Sequence, residues 1–307
     1  MPPSEPSDRR KKAPAKKKTK QTAKKPAKKA AAKTTTTNST KQTTKKLKTA
    51  APDARAAHRW TLDEVIEQLE QLGTDQNRKV YPRHGVNPDR LYGVSFASYY
   101  ALAKRIRPGT GAAHKLAFEL WATENHDARM LACMIADPAG FDPIELDRWV
   151  KDADNYIIAD AIAALVTRTP QAESRVTRWI KAGHEYTQRC GYMILAGLIK
   201  QADDPASAKS LPRKAANYDA EALAEFLNTI ETNIHDAPNR AAEAMNTCLI
   251  AIGTYRDELR DDAVAAAQRI GDINIDHGDT NCKTPDAAAY IAKAAAHRKK
   301  VKSNKKS

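Results

Sequence analysis

Beginning at Trp60, apolar residues recur every three or four positions, and no stretch alternates apolar and polar residues in the manner of a strand. The first such run, TLDEVIEQLEQLG, carries its own boundaries. Thr61 is placed to cap a helix and Glu64 sits in its first turn. Val65, Ile66, Leu69 and Leu72 form one apolar face, and Gly73 ends it. The same period predicts helices over 95–107, 111–123, 126–136, 142–151, 154–167, 171–182, 184–200, 219–231, 238–252, 258–270 and 286–298. Their junctions hold helix-breaking residues, among them Pro108–Gly109, Pro170, Gly183, Pro238 and Gly271. The helices fall in pairs, and related positions recur about 30 residues apart over the middle of the chain. One such hairpin cannot bury its apolar stripe alone. The pattern therefore predicts an all-α solenoid of stacked helix pairs over residues 56–296, with a polar insertion at 201–218. In such a stack the second helix of each pair lines the inner surface.

Residues 1–55 break the pattern. They are low-complexity Lys, Ala, Pro and Thr with almost no apolar side chain larger than alanine, a composition similar to that of linker-histone tails. Such a segment buries too little surface to offset its chain entropy, so a disordered basic tail is expected. Charge is divided in the same way: residues 1–50 carry +15 of a whole-chain +14, leaving the body close to neutral. Affinity for polyanions is therefore expected of the tail, whereas binding by the body requires a local arrangement of cations. A shorter basic tail is expected over 297–307. No lipidation signal or amphipathic helix accompanies the charge, which favours nucleic acid over a membrane surface.

Other function classes are disfavoured by what the sequence holds. No run approaches the ~18 apolar residues of a membrane-crossing helix, and no apolar segment near the N-terminus predicts export. Cys133, Cys190, Cys248 and Cys282 lie far apart, and three of them fall in apolar helical patterns, so reduced core thiols are expected. The eight histidines show no paired metal-ligand spacing. DINIDHGDTNCK at 272–283 has acidic or amide residues at alternate positions, but His277 and Lys283 stand where a calcium loop needs glycine and a bidentate acid. No metal and no cofactor is expected.

Candidate chemistry lies on three second helices. At 100° per residue, Asp160 falls roughly 120° from the centre of the stripe Ile157, Ile158, Ala161, Ala164 and Leu165, with Tyr156 one turn earlier. Arg189 falls about 95° to the same side of the stripe that contains Cys190 and Ile194. Arg240 and Thr247 occupy the matching flank of the stripe that contains Met245 and Leu249. A carboxylate and two guanidiniums thus follow one inner edge. Geometry alone also permits a simpler reading, an ordinary ion pair between repeats. The tryptophans Trp121, Trp149 and Trp179 sit in helical patterns and read as core. The loop RKVYPRHG at 78–85 reads equally as a phosphate contact or as a solvated connection.

The ordered segments YGVSFASYYALAKRI, ELWATENHDARMLA, DNYIIADAIAALV and YTQRCGYMILAGLIK resemble the AlkD-like, DNA alkylation repair family of HEAT-like repeat DNA glycosylases. The resemblance covers roughly residues 91–260, and NCKTPDAAAYIAKA is similar to a C-terminal element of one branch. It implies a HEAT-like α-solenoid that holds double-stranded DNA and excises cationic N3- or N7-alkylated purines without flipping the lesion into a pocket. It also implies Asp160 as the catalytic carboxylate and Arg189 as the arginine beside it; with Tyr156, Arg240 and Thr247 on the same flank, Arg189 makes up the expected DNA-contacting set. The expected protein is a monomer that needs no cofactor and works in the cytoplasm among nucleoid DNA. Where family members place tryptophans around the aspartate, this chain has Asn155, Tyr156 and Thr247; Tyr156 offers an aromatic surface and Thr247 offers none. Two alternatives therefore stand beside excision: a non-catalytic module for branched, bent or damaged DNA, and a protein–protein scaffold.

Overall fold

The structure is a computed structural model and describes residues 58–203 and 218–304. The basic segment 1–55, most of the polar insertion and the last three residues lie outside the described residues.

At the start of the described body, Thr61 and Glu64 form a reciprocal capping box, the Thr61 amide donating to the Glu64 carboxylate at 2.9 Å. This launches α1 (Leu62–Leu72), which buries Val65 and Leu69. A short α2 (Asp75–Val80) and a 3-10 turn (Tyr81–His84) follow, capped by Thr74 and closed by Gly85 in the left-handed region. These elements replace the loop expected at 78–85. Six residues are too few to show a helical period, so the pattern carries no sign of α2.

The remaining helices match the sequence pattern closely. They are α3 (Phe96–Ile106), α4 (Gly111–Ala122), α5 (His126–Ile135), α6 (Pro143–Lys151), α7 (Tyr156–Val166), α8 (Ala172–Trp179), α9 (Glu185–Asp203), α10 (Ala220–Asn233), α11 (Asn239–Tyr255), α12 (Arg260–Ile270) and α13 (Ala287–Asn304). Most starts have a side-chain cap, for example Ser95, Thr110, Asn125, Asp142, Asn155 and Asp219. These caps satisfy amides that the helix itself leaves open. The last helix runs on to Asn304, through positions expected as tail. Among the described residues there is no β-strand, only one isolated bridge between Gly73 and Val94.

The order of packing is that of a solenoid. The second helices form one row, α3 on α5, α5 on α7, α7 on α9, α9 on α11 and α11 on α13, while α4, α6, α8, α10 and α12 flank it. Close approach is achieved by small residues. A Cβ on Gly191 of α9 would sit 2.6 Å from the Ile180 amide, and one on Gly253 of α11 would sit 2.7 Å from the Ile291 side chain of α13. One contiguous core runs through the described helices. It includes Trp121 and Trp149, stacked with centroids 4.1 Å apart, and Trp179, whose indole donates to Asp147. Cys133, Cys190 and Cys248 are buried and free, and burial pushes the Cys133 thiol up to about 12.

The first repeats are tied together by Asp127, which is fully buried at the start of α5. Its carboxylate accepts from the amides of Tyr92, Gly93 and Val94 and from the Tyr99 hydroxyl, at 2.5 to 3.2 Å. The polar loop before α3 thereby finds its partners without water. Among the described residues, no helix is long and apolar enough to cross a membrane.

Candidate active site

The site is assembled by α7, α9 and α11, with the 3-10 turn closing over it. Asn155 caps α7 by accepting from the Ile158 amide and is itself buried. From that cap the helix presents Tyr156, Asp160, Ala164 and Arg168 along one face at four-residue steps. All four line a groove of about 900 Å³ between α3 and α7, with Met130, Cys133 and Met134 of α5 as its floor. Ile157, Ala161 and Ala164 also line this groove, and Ala164 is exposed. The helical wheel predicts these three as core; Ile157 and Ala161 are indeed partly buried against it, and the correction falls on Ala164. Ile158 and Leu165 of the predicted stripe are fully buried, and Ile162 joins them.

Asp160 stands at the groove with about a third of its side chain exposed. Arg189 approaches it from α9 as a fork, Nε donating to Oδ1 at 2.8 Å and Nη2 to Oδ2 at 2.9 Å. The guanidinium is 5 % exposed and continues inward to α11, where Nη1 donates to the Glu243 carboxylate at 2.8 Å and to the Arg240 carbonyl at 3.0 Å. Four of its five N–H groups are thus engaged within the protein. Burial opposes the Arg189 charge, but Asp160 and Glu243 more than compensate and hold its pKa above the ordinary value. For Asp160 the balance is reversed. Burial raises its carboxyl above the ordinary aspartate value, while Arg189 pulls it back.

A second layer surrounds this pair. Arg240 is largely buried, donates to Glu243 at 3.1 Å and lies 4.5 Å over the Tyr156 ring, with Arg189 5.1 Å from the same ring. The Arg240 amide, near the start of α11, donates to Glu185 at 2.5 Å. Tyr156 is half-buried, and its hydroxyl meets Nδ1 of His84 at 2.7 Å. Burial, with Arg240 and Arg83 nearby, holds the His84 pKa below its ordinary value. His84 is thereby kept neutral, and its tautomer sets which of the two groups donates in this hydrogen bond. His277 approaches Glu243 at 3.8 Å from the 271–286 segment.

The structure thus brings Asp160, Arg189, Tyr156 and Arg240 together. Thr247 stands apart: its hydroxyl donates to the Glu243 carbonyl one turn back at 3.0 Å, and it lines neither the main groove nor a second one of about 440 Å³ beside Arg240. Sequence reasoning missed Glu243, Glu185 and His84. Glu243 lies three residues after Arg240 and looks like half of an ordinary surface pair. His84 sits in the turn that reads equally as a solvated connection. Nothing in the sequence signals that the turn folds over α7. Among the described residues, no three His, Cys, Asp or Glu side chains are placed to hold a metal.

Fold and site together define a helical-repeat protein with one carboxylate locked by arginine at the edge of an inner groove. The chain belongs to the DNA alkylation repair enzyme family, whose model matches residues 65–291. It is similar to an uncharacterized protein of Listeria innocua, 27 % identical over 76 % of this chain and 97 % of that protein. A protein of Listeria monocytogenes is 26 % identical over the same shares. Its fold matches a solved structure from a new family of proteins related to the HEAT-like repeat DNA glycosylases with affinity for branched DNA structures. That match has a TM-score of 0.67 and 24 % identity, and covers 78 % of this chain and 95 % of that one.

Proposed function

We propose that this protein binds double-stranded DNA and excises cationic N3- or N7-alkylated purines, with Asp160 as the catalytic residue. The observation that carries this reading is the Asp160–Arg189 fork at an open groove. Each carboxylate oxygen accepts one N–H from Arg189 and keeps a lone-pair direction free on the exposed side. A purine alkylated at N3 or N7 already carries positive charge, so it departs with the electrons of its glycosidic bond and needs no general acid. The sugar is left as an oxocarbenium-like cation. Asp160 stabilises that cation, orients the water that adds to C1′, accepts the proton that this water loses and passes it to solvent. Arg189 is a positioning residue in this scheme, because it is buried and its donors already face Asp160 and Glu243. The basic N-terminal segment supplies phosphate affinity among nucleoid DNA.

A second reading is favoured by a different observation. Asn155 is consumed as a buried cap and Thr247, which has no ring, lines neither groove, so Tyr156 alone offers an aromatic surface at the positions where family members place tryptophans. This suits a non-catalytic module for branched or bent DNA, the affinity described for the structurally related family. The two readings separate when affinity and base release are measured on the same samples of wild type and Asp160→Asn. Excision requires release to collapse while affinity for the modified duplex holds. Binding alone requires no release from either protein, with affinity for forked DNA retained.

A further inference from the structure

Excision that leaves the lesion stacked in the duplex needs a carboxylate at the sugar and no receptacle for a base, yet the groove beside Asp160 is wide and apolar. Its α3 wall presents Phe96, Tyr100 and Lys104 at four-residue steps on one face. Phe96 and Tyr100 are 46 % and 66 % exposed, and both open into this one groove. Across from them α7 presents small residues, Ala161 and Ala164, which leave room for a flat ring. Met130 and Met134 form a polarizable floor. The cations that line the groove are Lys104 and Arg168, on the rungs after Tyr100 and Ala164.

This is poor equipment for a phosphate backbone, which seeks rows of cations, and a paired base is already stacked on both faces. A base without a partner strand exposes both faces, and an aromatic side chain replaces the lost stacking. Building on the reading that the protein acts on DNA, we propose that this groove receives an unpaired nucleobase presented at a branch or bulge. The base stacks on Tyr100 and Phe96 above the methionine floor, and Lys104 and Arg168 meet its flanking phosphates. Any base fits, because every base has a π face, so the groove selects for lack of pairing and not for sequence.

The test uses the full-length protein and three labelled DNAs: a paired duplex, the same duplex with one unpaired 2-aminopurine, and a fork. Wild type is expected to bind the bulged and forked DNAs about 5- to 100-fold more tightly than the duplex. It is also expected to quench the 2-aminopurine on binding. Phe96→Ala/Tyr100→Ala, at exposed positions, is expected to lose this preference and the quenching while keeping its duplex affinity. Tyr100→Trp is expected to retain both. Equal affinity of wild type for all three DNAs, unchanged emission, or a double variant that binds the fork like wild type would overturn the proposal. Release of 7-methylguanine from a paired duplex, assayed in parallel, should be the same in the double variant as in wild type. Loss of release only in Asp160→Asn, together with no fork preference, would leave excision standing and remove the base groove.

Discussion

Arg189 concentrates the physics of the site in one side chain. From α9 it ties α7 to α11, since its fork holds Asp160, its Nη1 holds Glu243 and the Arg240 carbonyl, and its guanidinium lies near the Tyr156 ring. Removing it leaves the Asp160 carboxylate without its hydrogen-bonded cation and Glu243 with Arg240 as its arginine partner. Arg189→Ala should therefore cost about 3 kcal/mol of unfolding free energy, the lower end for a broken buried pair because Asp160 is partly exposed. Denaturant titration would check this. Arg189→Lys preserves the charge and loses the fork, so it separates charge from geometry. Because burial already lifts the Asp160 pKa, the acid limb of single-turnover excision should lie above the ~3.9 of a free aspartate. In the proposed reaction the ionised form is the active one, so activity is expected to fall as pH falls through that raised value. In Arg189→Lys the pull toward the charged form weakens, and the limb should move to still higher pH. A limb that does not move would show that Arg189 is not acting through Asp160.

At the scale of helices, the fold is readable wherever amphipathic period and caps agree. Thr61 with Glu64 marks a start that the structure keeps, and Asp142 with Glu145 and Asn155 cap helices close to where the apolar period begins. Failure comes where one of the two signals vanishes. In α7, YIIADAIAALV is apolar nearly all round, so its pattern cannot show which side meets the core, and groove residues read as buried. The wheel still places Asp160 on a flank, because a lone carboxylate on such a helix has few places to go. The partners of Arg189 are harder to see. Glu243 and His84 reach the site through hydrogen bonds between residues 54 and 72 positions apart, which no local period encodes. The same applies to Asp127, which reads as part of an ordinary helix start yet binds three amides and a hydroxyl more than 27 residues away. Charged acceptors of this kind contribute more per bond than neutral ones. Asp127→Ala should lower stability by about 3 kcal/mol or more, with the 92–99 region losing hydrogen-exchange protection first. An exchange pattern that changed uniformly over the body would contradict the assignment of Asp127 to this junction.

For the molecule as a whole, charge and chemistry are divided between segments. The first 50 residues carry +15, whereas the helical body is close to neutral and surrounds its groove aspartate with compensated ion pairs. Affinity should therefore reside largely in the basic segment and selectivity in the body. Deleting residues 1–55 should weaken DNA binding and flatten its salt dependence, by about 0.9 in the logarithmic slope for each phosphate that the tail no longer neutralises. The ratio of fork to duplex affinity should survive that deletion. An unchanged salt slope would place the phosphate-binding cations on the helices instead. Excision itself, as proposed, rests on one carboxylate held by Arg189. Its most direct measurement is single-turnover release of 7-methylguanine from a paired duplex by wild type and Asp160→Asn, with enzyme in excess. The account predicts measurable release by wild type and a loss of about 100- to 1000-fold in the variant, the scale of removing one preorganised electrostatic group. Equal rates for the two proteins, or none above the spontaneous rate from wild type, would contradict it.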